Sequence, residues 1–193
     1  MNNPKVKIID IKNLSKAHYK LDKVDFEYQT KNGDWKTQSR ECYDRGDGAA
    51  ILLYNPTKKT VILTKQFRMP SYLNGNATGM MIEVCAGMLD EDNPEACIIK
   101  EVEEETGFKI SNPKKIFELY STPGAVTEKI YYFIAEYNDG MKISDGGGLA
   151  AEQEEIEVLE INFDTALKMV SNGEINDAKT VVLLQFAKLN SLT

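Results

Sequence analysis

Histidine is nearly absent from these 193 residues: His18 stands alone. A mechanism resting on an imidazole, the usual proton carrier near neutral pH, therefore has one candidate. It lies far in sequence from the acidic cluster described below, so a structural or surface role is expected for it. Cysteine is scarce as well. Cys42, Cys85 and Cys97 form an odd set with no CxxC and no His/Cys ligand spacing, which argues against zinc and against a disulfide framework and predicts reduced thiols in the core. Long apolar runs are missing. No stretch approaches the roughly 20 residues a membrane-spanning helix needs, and no charged-then-apolar leader opens the chain. Neither insertion nor secretion is expected, and the cytoplasm is the expected compartment. Positive charge is in deficit, 23 Lys and Arg against 30 Asp and Glu for a net charge of −7. With no basic stripe, nucleic acid is excluded as the main partner. The length fits one ordinary domain, or one with an appended element, and can bury a stable core.

Acid is abundant, and it is concentrated. In the stretch from Gly87 to Gly107, Glu101, Glu104 and Glu105 fall at i, i+3 and i+4 of a helix that follows a glycine turn. Such spacings put side chains on one face, where like charges repel by a few tenths of a kcal/mol per pair. An acidic run can be a solvated helix face. This one is framed independently of its charges, by Asn93 as N-cap with Pro94 at the first helical position and by Thr106-Gly107 as a stop. Hard divalent ions take oxygen ligands and are commonly held by one or two carboxylates together with substrate phosphates. The cluster points to an enzyme that handles phosphate.

Before it, residues 5 to 44 alternate apolar and polar side chains (Val6, Ile8; Val24, Phe26, Tyr28) around the turn Lys31-Asn32-Gly33-Asp34, predicting antiparallel strands with an Asn-Gly hairpin. A short sheet of this kind needs a surface to cover its apolar side. Strands are then expected at Ala49 to Tyr54, Val61 to Phe67, Met80 to Val84, Ile116 to Tyr120, Lys129 to Tyr137 and Ile156 to Ile161, with helices at Asp164 to Ser171 and Asp177 to Asn190. Between Asn138 and Glu155 lies a glycine-rich segment long enough to be functional or disordered. If functional, it would act as a lid. The pattern is α+β.

The central stretch resembles the Nudix box: Gly, five residues, Glu, seven residues, Arg-Glu-apolar-any-Glu-Glu-any-Gly-apolar. Gly87, Glu101, Val102, Glu104, Glu105, Gly107 and Phe108 match. Lys100 replaces the Arg, Asn93 stands where the first Glu is expected, and the spacer is one residue shorter. The resemblance implies a Nudix fold, an α/β/α sandwich around a mixed sheet. It also implies a division into an N-terminal β element for dimerisation (1–44) and a Nudix hydrolase domain (45–193). Glu101, Glu105 and the backbone carbonyl of Ala86 become metal ligands, Glu104 a second acidic candidate, and Glu103 a solvated residue.

The flanks extend the likeness. Pro123-Gly124 and Lys65-Gln66-Phe67-Arg68 resemble elements of nucleoside-diphosphate-sugar pyrophosphatases. Arg40-Glu41-Cys42-Tyr43-Asp44-Arg45-Gly46, Glu83-Val84-Cys85-Ala86-Gly87, Phe117-Glu118-Leu119-Tyr120 and residues 173 to 180 are similar to the bacterial GDP-mannose pyrophosphatases over almost the whole chain. By that resemblance Tyr19, Arg40, Glu41, Arg68, Gly87, Met88, Glu128, Gln153 and Lys179 become nucleotide-sugar contacts. Glu154 becomes the third metal ligand or the water-activating base, with Glu152 and Glu155 as rivals. A fork-shaped guanidinium such as that of Arg68 suits two phosphate oxygens at once; on residues alone a surface salt bridge is the favoured expectation for Arg68. The activity implied is Mg2+-dependent hydrolysis of GDP-mannose to GMP and mannose 1-phosphate in a homodimer. The alternatives are Mn2+ as the metal, ADP-ribose as the substrate, or a non-catalytic sugar-nucleotide sensor.

Overall fold

The computed structural model describes residues 5–89, 93–149, 151 and 153–192. The chain divides into two compact units, one of Met1–Asp47 with Tyr120–Lys129 and one of Gly48–Leu119 with Ile130–Thr193.

The first unit is a three-stranded antiparallel sheet in the order β1 (Val6–Lys16), β2 (Lys20–Gln29), β3 (Trp35–Asp44). The Asn32-Gly33 turn joins β2 to β3, with Gly33 at φ 92°. Between Ile8 and Asp10 the register slips by one residue, so that Val6, Ile8 and Ile11 stand opposite Tyr28, Phe26 and Val24. This bulge is what allows an irregularly spaced strand to keep Val6, Ile8 and Ile11 on one face. That face is open within the unit: Val6, Ile8 and Ile11 are each more than half exposed. The segment 120–129 joins this unit through backbone hydrogen bonds between Tyr43 and both Ala125 and Thr127, 2.8 and 3.0 Å.

The second unit is built on a mixed sheet in the order β10 (Glu157–Asn162), β5 (Thr60–Phe67), β4 (Gly48–Asn55), β9 (Lys129–Glu136), β8 (Lys114–Tyr120), with β4 and β9 parallel. Every residue of β4 is buried, as befits a strand covered on both faces. Ala50, Leu52 and Tyr54 meet the C-terminal helices α3 (Phe163–Asn172) and α4 (Ala178–Leu189). Ala49, Ile51 and Leu53 meet Ile98 of helix α2 (Pro94–Glu101) and Val102 just beyond it. The result is the expected sandwich, with the box helix on one side and two helices on the other.

One feature of this sheet positions the site. Strands β4 and β5 pair only near their hairpin, Leu53 to Asn55 with Thr60 to Ile62, and then part. Into the fork runs the continuous segment of β6 (Met80–Glu83) and β7 (Cys85–Met88), β6 pairing with β5 and β7 with β4. Sequence reading expects a single strand here; the chain changes partners at Val84, whose N–H donates instead to Thr180 Oγ1 at 2.8 Å. A short helix, α1 (Met69–Leu73), was not legible in the sequence.

Of the three cysteines, Cys85 and Cys97 are core residues as expected. Cys42 is only half-buried, because its strand belongs to the small first-unit sheet. His18 is exposed and packs its ring on Tyr19.

Candidate active site

The box helix starts as the residues dictate: Asn93 Oδ1 accepts from Ala96 N at 2.9 Å, and Pro94 needs no donor at the first position. It does not remain α-helical. From Val102 to Thr106 it widens into a π turn, and Gly107 ends it in the left-handed conformation at φ 74°. Thr106 Oγ1 donates to the Val102 carbonyl at 2.5 Å. Such π turns gather at functional sites, and this one lies across Glu103, Glu104 and Glu105.

Glu105 is turned into the protein and is 2% exposed. Its neighbours are the Ala86 N–H, 3.4 Å from Oε2, and the Cys85 thiol. Burial first, then the negative charges of Glu101 and Glu154, push its pKa up to about 8. Burial and the Glu105 carboxylate likewise raise the Cys85 thiol far above its usual range, so the sulfur keeps its proton and serves as a donor. Glu101 stands against strand β7: a Cβ on Gly87 would overlap its carboxylate. Gly87 is therefore required to be a glycine by close approach, since its own φ is ordinary.

Glu154 reaches the same place from the other end of the chain. The glycine-rich segment is docked on the end of the box helix, with Gly147 N donating to Glu105 O at 2.9 Å, Gly148 N to Glu104 O at 3.1 Å and Ile143 N to Gly107 O at 2.8 Å. Its glycines serve close contact with that helix end. A Cβ on Gly146, at φ 69°, would lie 2.5 Å from the Glu105 carbonyl oxygen. Leu149 N donates to Glu154 Oε2 at 3.1 Å, aiming the half-buried carboxylate inward. Gln153, at φ 57°, and Glu155 are exposed. Glu152 lies outside the described residues.

Glu104 pairs with Lys100 at 3.5 Å, and Glu103 is exposed as expected. Among the described residues no ready-made metal cage of three or more His, Cys, Asp or Glu groups is present. The donor set nonetheless fits a hard divalent cation. Glu101, Glu105 and Glu154 are close enough for their charges to oppose the ionisation of Glu105, and an ion between them would remove that repulsion. A cleft of about 350 Å3 elsewhere in this unit, bordered by Asp139, Lys142 and Glu160, holds none of these carboxylates. Its Glu160 is already satisfied by Lys58, Thr60 and Tyr137.

In the same unit the fork in the sheet gathers two cations and the carboxylates that hold them. Arg68, just past β5, donates from Nε to Glu83 Oε2 at 2.7 Å, and Lys179, at the start of α4, donates to Glu83 Oε1 at 3.2 Å and to Asp177 Oδ1 at 2.6 Å. Burial disfavours the Lys179 charge, yet Asp177 and Glu83 outweigh it and hold its pKa above the usual lysine range. Sequence reasoning singled out Arg68 and Lys179 but not Glu83, which is only 4% exposed and looked like an ordinary strand residue. Nothing in one sequence announces that two cations a hundred residues apart meet on it.

Tyr19, Arg40, Glu41 and Glu128 belong to the first unit. Arg40 is opposite Val24 and Glu41 opposite Lys23, so their side chains leave β3 on opposite faces. Arg40 donates to Ser39 O and Gln38 Oε1, both at 2.8 Å. Glu128 lies 3.5 Å from Arg45 Nε, and the Arg45 guanidinium stands 5.6 Å from the Tyr19 ring centre. Arg45 thus links two of the predicted contacts. Its signal in the sequence was only its place inside Arg40 to Gly46.

The chain matches two family models, the "GDP-mannose pyrophosphatase NudK N-terminal domain" over residues 5–43 and the "NUDIX domain" over residues 44–182. It is 52% identical over 187 residues to a GDP-mannose pyrophosphatase of Salmonella typhimurium, covering 97% of each chain. It is 51% identical over 186 residues to one of Yersinia pestis, covering 96% of this chain and 93% of the relative. With the box helix, its buried glutamate and the sandwich around them, these matches establish that the chain belongs to the Nudix family and is a Nudix pyrophosphatase.

Proposed function

We propose that this enzyme hydrolyses the pyrophosphate bond of a nucleoside-diphosphate sugar, GDP-mannose to GMP and mannose 1-phosphate, with Mg2+ as the metal. The observation that carries the reading is the convergence of Glu101 and Glu154 on the buried, charge-starved Glu105, with the Arg68 and Lys179 pair in the same unit. Substrate identity is supported by relatives named for that activity, alike along the whole chain.

In this reading Glu101, Glu105, Glu154 and the Ala86 carbonyl hold the metal, which when bound neutralises phosphate charge and acidifies water. Arg68 and Lys179 grip the diphosphate oxygens, an arrangement in which positioning and electrostatics supply most of the acceleration. Glu154 takes the proton of the attacking water, with Glu104 as second acidic group. Gly87 and Met88 in β7, together with Tyr19, Arg40, Glu41, Glu128 and Gln153, contact the nucleotide sugar by resemblance. The exposed apolar face of Val6, Ile8 and Ile11 supports a homodimer formed through the N-terminal sheet. No helix among the described residues is long and apolar enough to cross a membrane.

A panel of GDP-mannose, ADP-ribose and GDP-glucose, assayed for phosphomonoester with Mg2+, with Mn2+ and with neither, tests this. GDP-mannose is expected to give the highest kcat/KM. A clear preference for ADP-ribose would overturn the substrate, and no turnover with any of them would favour a sensor.

A further inference from the structure

We infer that Glu83 is a positioning residue that sets the affinity for substrate by holding Arg68 and Lys179 side by side on its two carboxylate oxygens. This rests on the reading that those two cations grip the diphosphate. Each oxygen of Glu83 takes one cation, Oε2 from Arg68 at 2.7 Å and Oε1 from Lys179 at 3.2 Å. The carboxylate is buried, so solvent does not screen it, and it sits at the last residue of β6, where the chain enters the fork between β4 and β5. Its backbone is fixed in turn, because its carbonyl accepts from Thr64 Oγ1 at 3.3 Å.

The remaining anchors restrain Lys179 alone. Asp177 accepts from Lys179 and, through its other oxygen, from Thr180 N at 2.9 Å and Thr180 Oγ1 at 2.8 Å, which caps α4. Glu83 is therefore the side chain that joins Arg68, past the end of β5, to Lys179 at the start of α4. Only the Nε edge of the Arg68 guanidinium is taken by Glu83, and its side chain is 42% exposed, leaving the outer edge available to an anion. Without the carboxylate, Lys179 would stay on Asp177 and Arg68 would lose the partner the two cations share, so that they would no longer be held side by side.

The test is steady-state kinetics on Glu83→Gln, Glu83→Asp and an Arg68→Ala/Lys179→Ala double variant with and without Glu83→Gln. Glu83→Gln is isosteric but can accept from only one cation, and should raise KM at least tenfold while kcat stays within about threefold. Glu83→Asp keeps the charge on a shorter stem and should fall between; it also carries the test if the Gln variant does not fold. In the double-variant background Glu83→Gln should add no further rise in KM, because residues acting through one another are not additive. A KM within twofold of wild type in folded Glu83→Gln, or in Glu83→Asp should the former not fold, overturns the inference. So does a further full rise in the double-variant background. If instead Arg68→Ala/Lys179→Ala leaves KM unchanged, the reading of those cations as phosphate contacts fails, a result the single Glu83 variants do not produce.

Discussion

At the scale of single residues Glu105 is the most strongly perturbed carboxylate of the candidate site, because it is buried among like charges. Its carboxyl titrates near 8 when folded against 4.5 ordinarily, so the folded chain keeps a proton that the unfolded chain has already released between those values. Where the unfolded state binds fewer protons, stability falls as pH rises. In chelator, the wild type should therefore lose stability from about pH 5 to about pH 8 and level off above. Glu105→Gln should flatten that slope, and parallel melting curves for the two proteins would refute the assignment. The same substitution should cut turnover in saturating Mg2+ by at least ~100-fold, the scale expected when a group stabilising the transition state is lost. Glu103→Gln, altering an exposed side chain on the next residue but one, should leave turnover within twofold. Glu154→Gln should depress kcat far more than KM, and a large loss in Glu155→Gln instead would move the base along the loop.

At the scale of elements, the site depends on backbone surfaces that tolerate no Cβ. Gly87→Ala would drive a methyl group into the Glu101 carboxylate from the neighbouring strand. Since the φ of Gly87 is ordinary, the fold should survive while kcat drops at least tenfold and more Mg2+ is needed for half-maximal rate. A variant with unchanged metal dependence would show that Glu101 has no part in holding the ion. Gly146→Ala should behave differently. Its positive φ and its approach to the Glu105 carbonyl make the change strained whatever the side chains do, at a cost of about 1–3 kcal/mol. Melting temperature and kcat should fall together, because the loop carrying Glu154 is held by the backbone contact that the methyl group would break.

For the whole molecule, the bulge at Ile9 aligns Val6, Ile8 and Ile11 with Tyr28, Phe26 and Val24 on one apolar face. Sedimentation should give twice the 21.7 kDa chain mass. Ile8→Asp, on the open part of that face, should shift the chain toward monomer without unfolding the second unit, and deleting residues 1 to 44 should abolish both association and activity. A fully active monomeric truncation would refute a dimer built through this sheet.

The sequence by itself determined the local structure and the chemical type of the site. Asn93-Pro94 and Gly107 bounded the box helix, alternation located the strands, and the spacing of Glu101 and Glu105 placed two carboxylates on one helix face, because caps, periodicity and like-charge spacing are properties of neighbouring residues. Only tertiary structure decided how those pieces met. The π turn after Glu101, the partner change at Val84 and the docking of Gly146 to Gly148 on the helix end depend on atoms distant in sequence. The meeting of Arg68 and Lys179 on Glu83 does so most of all. A buried carboxylate between two cations and an exposed strand glutamate have the same local sequence signature; what separates them is desolvation, and desolvation exists only once the sheet has closed around them.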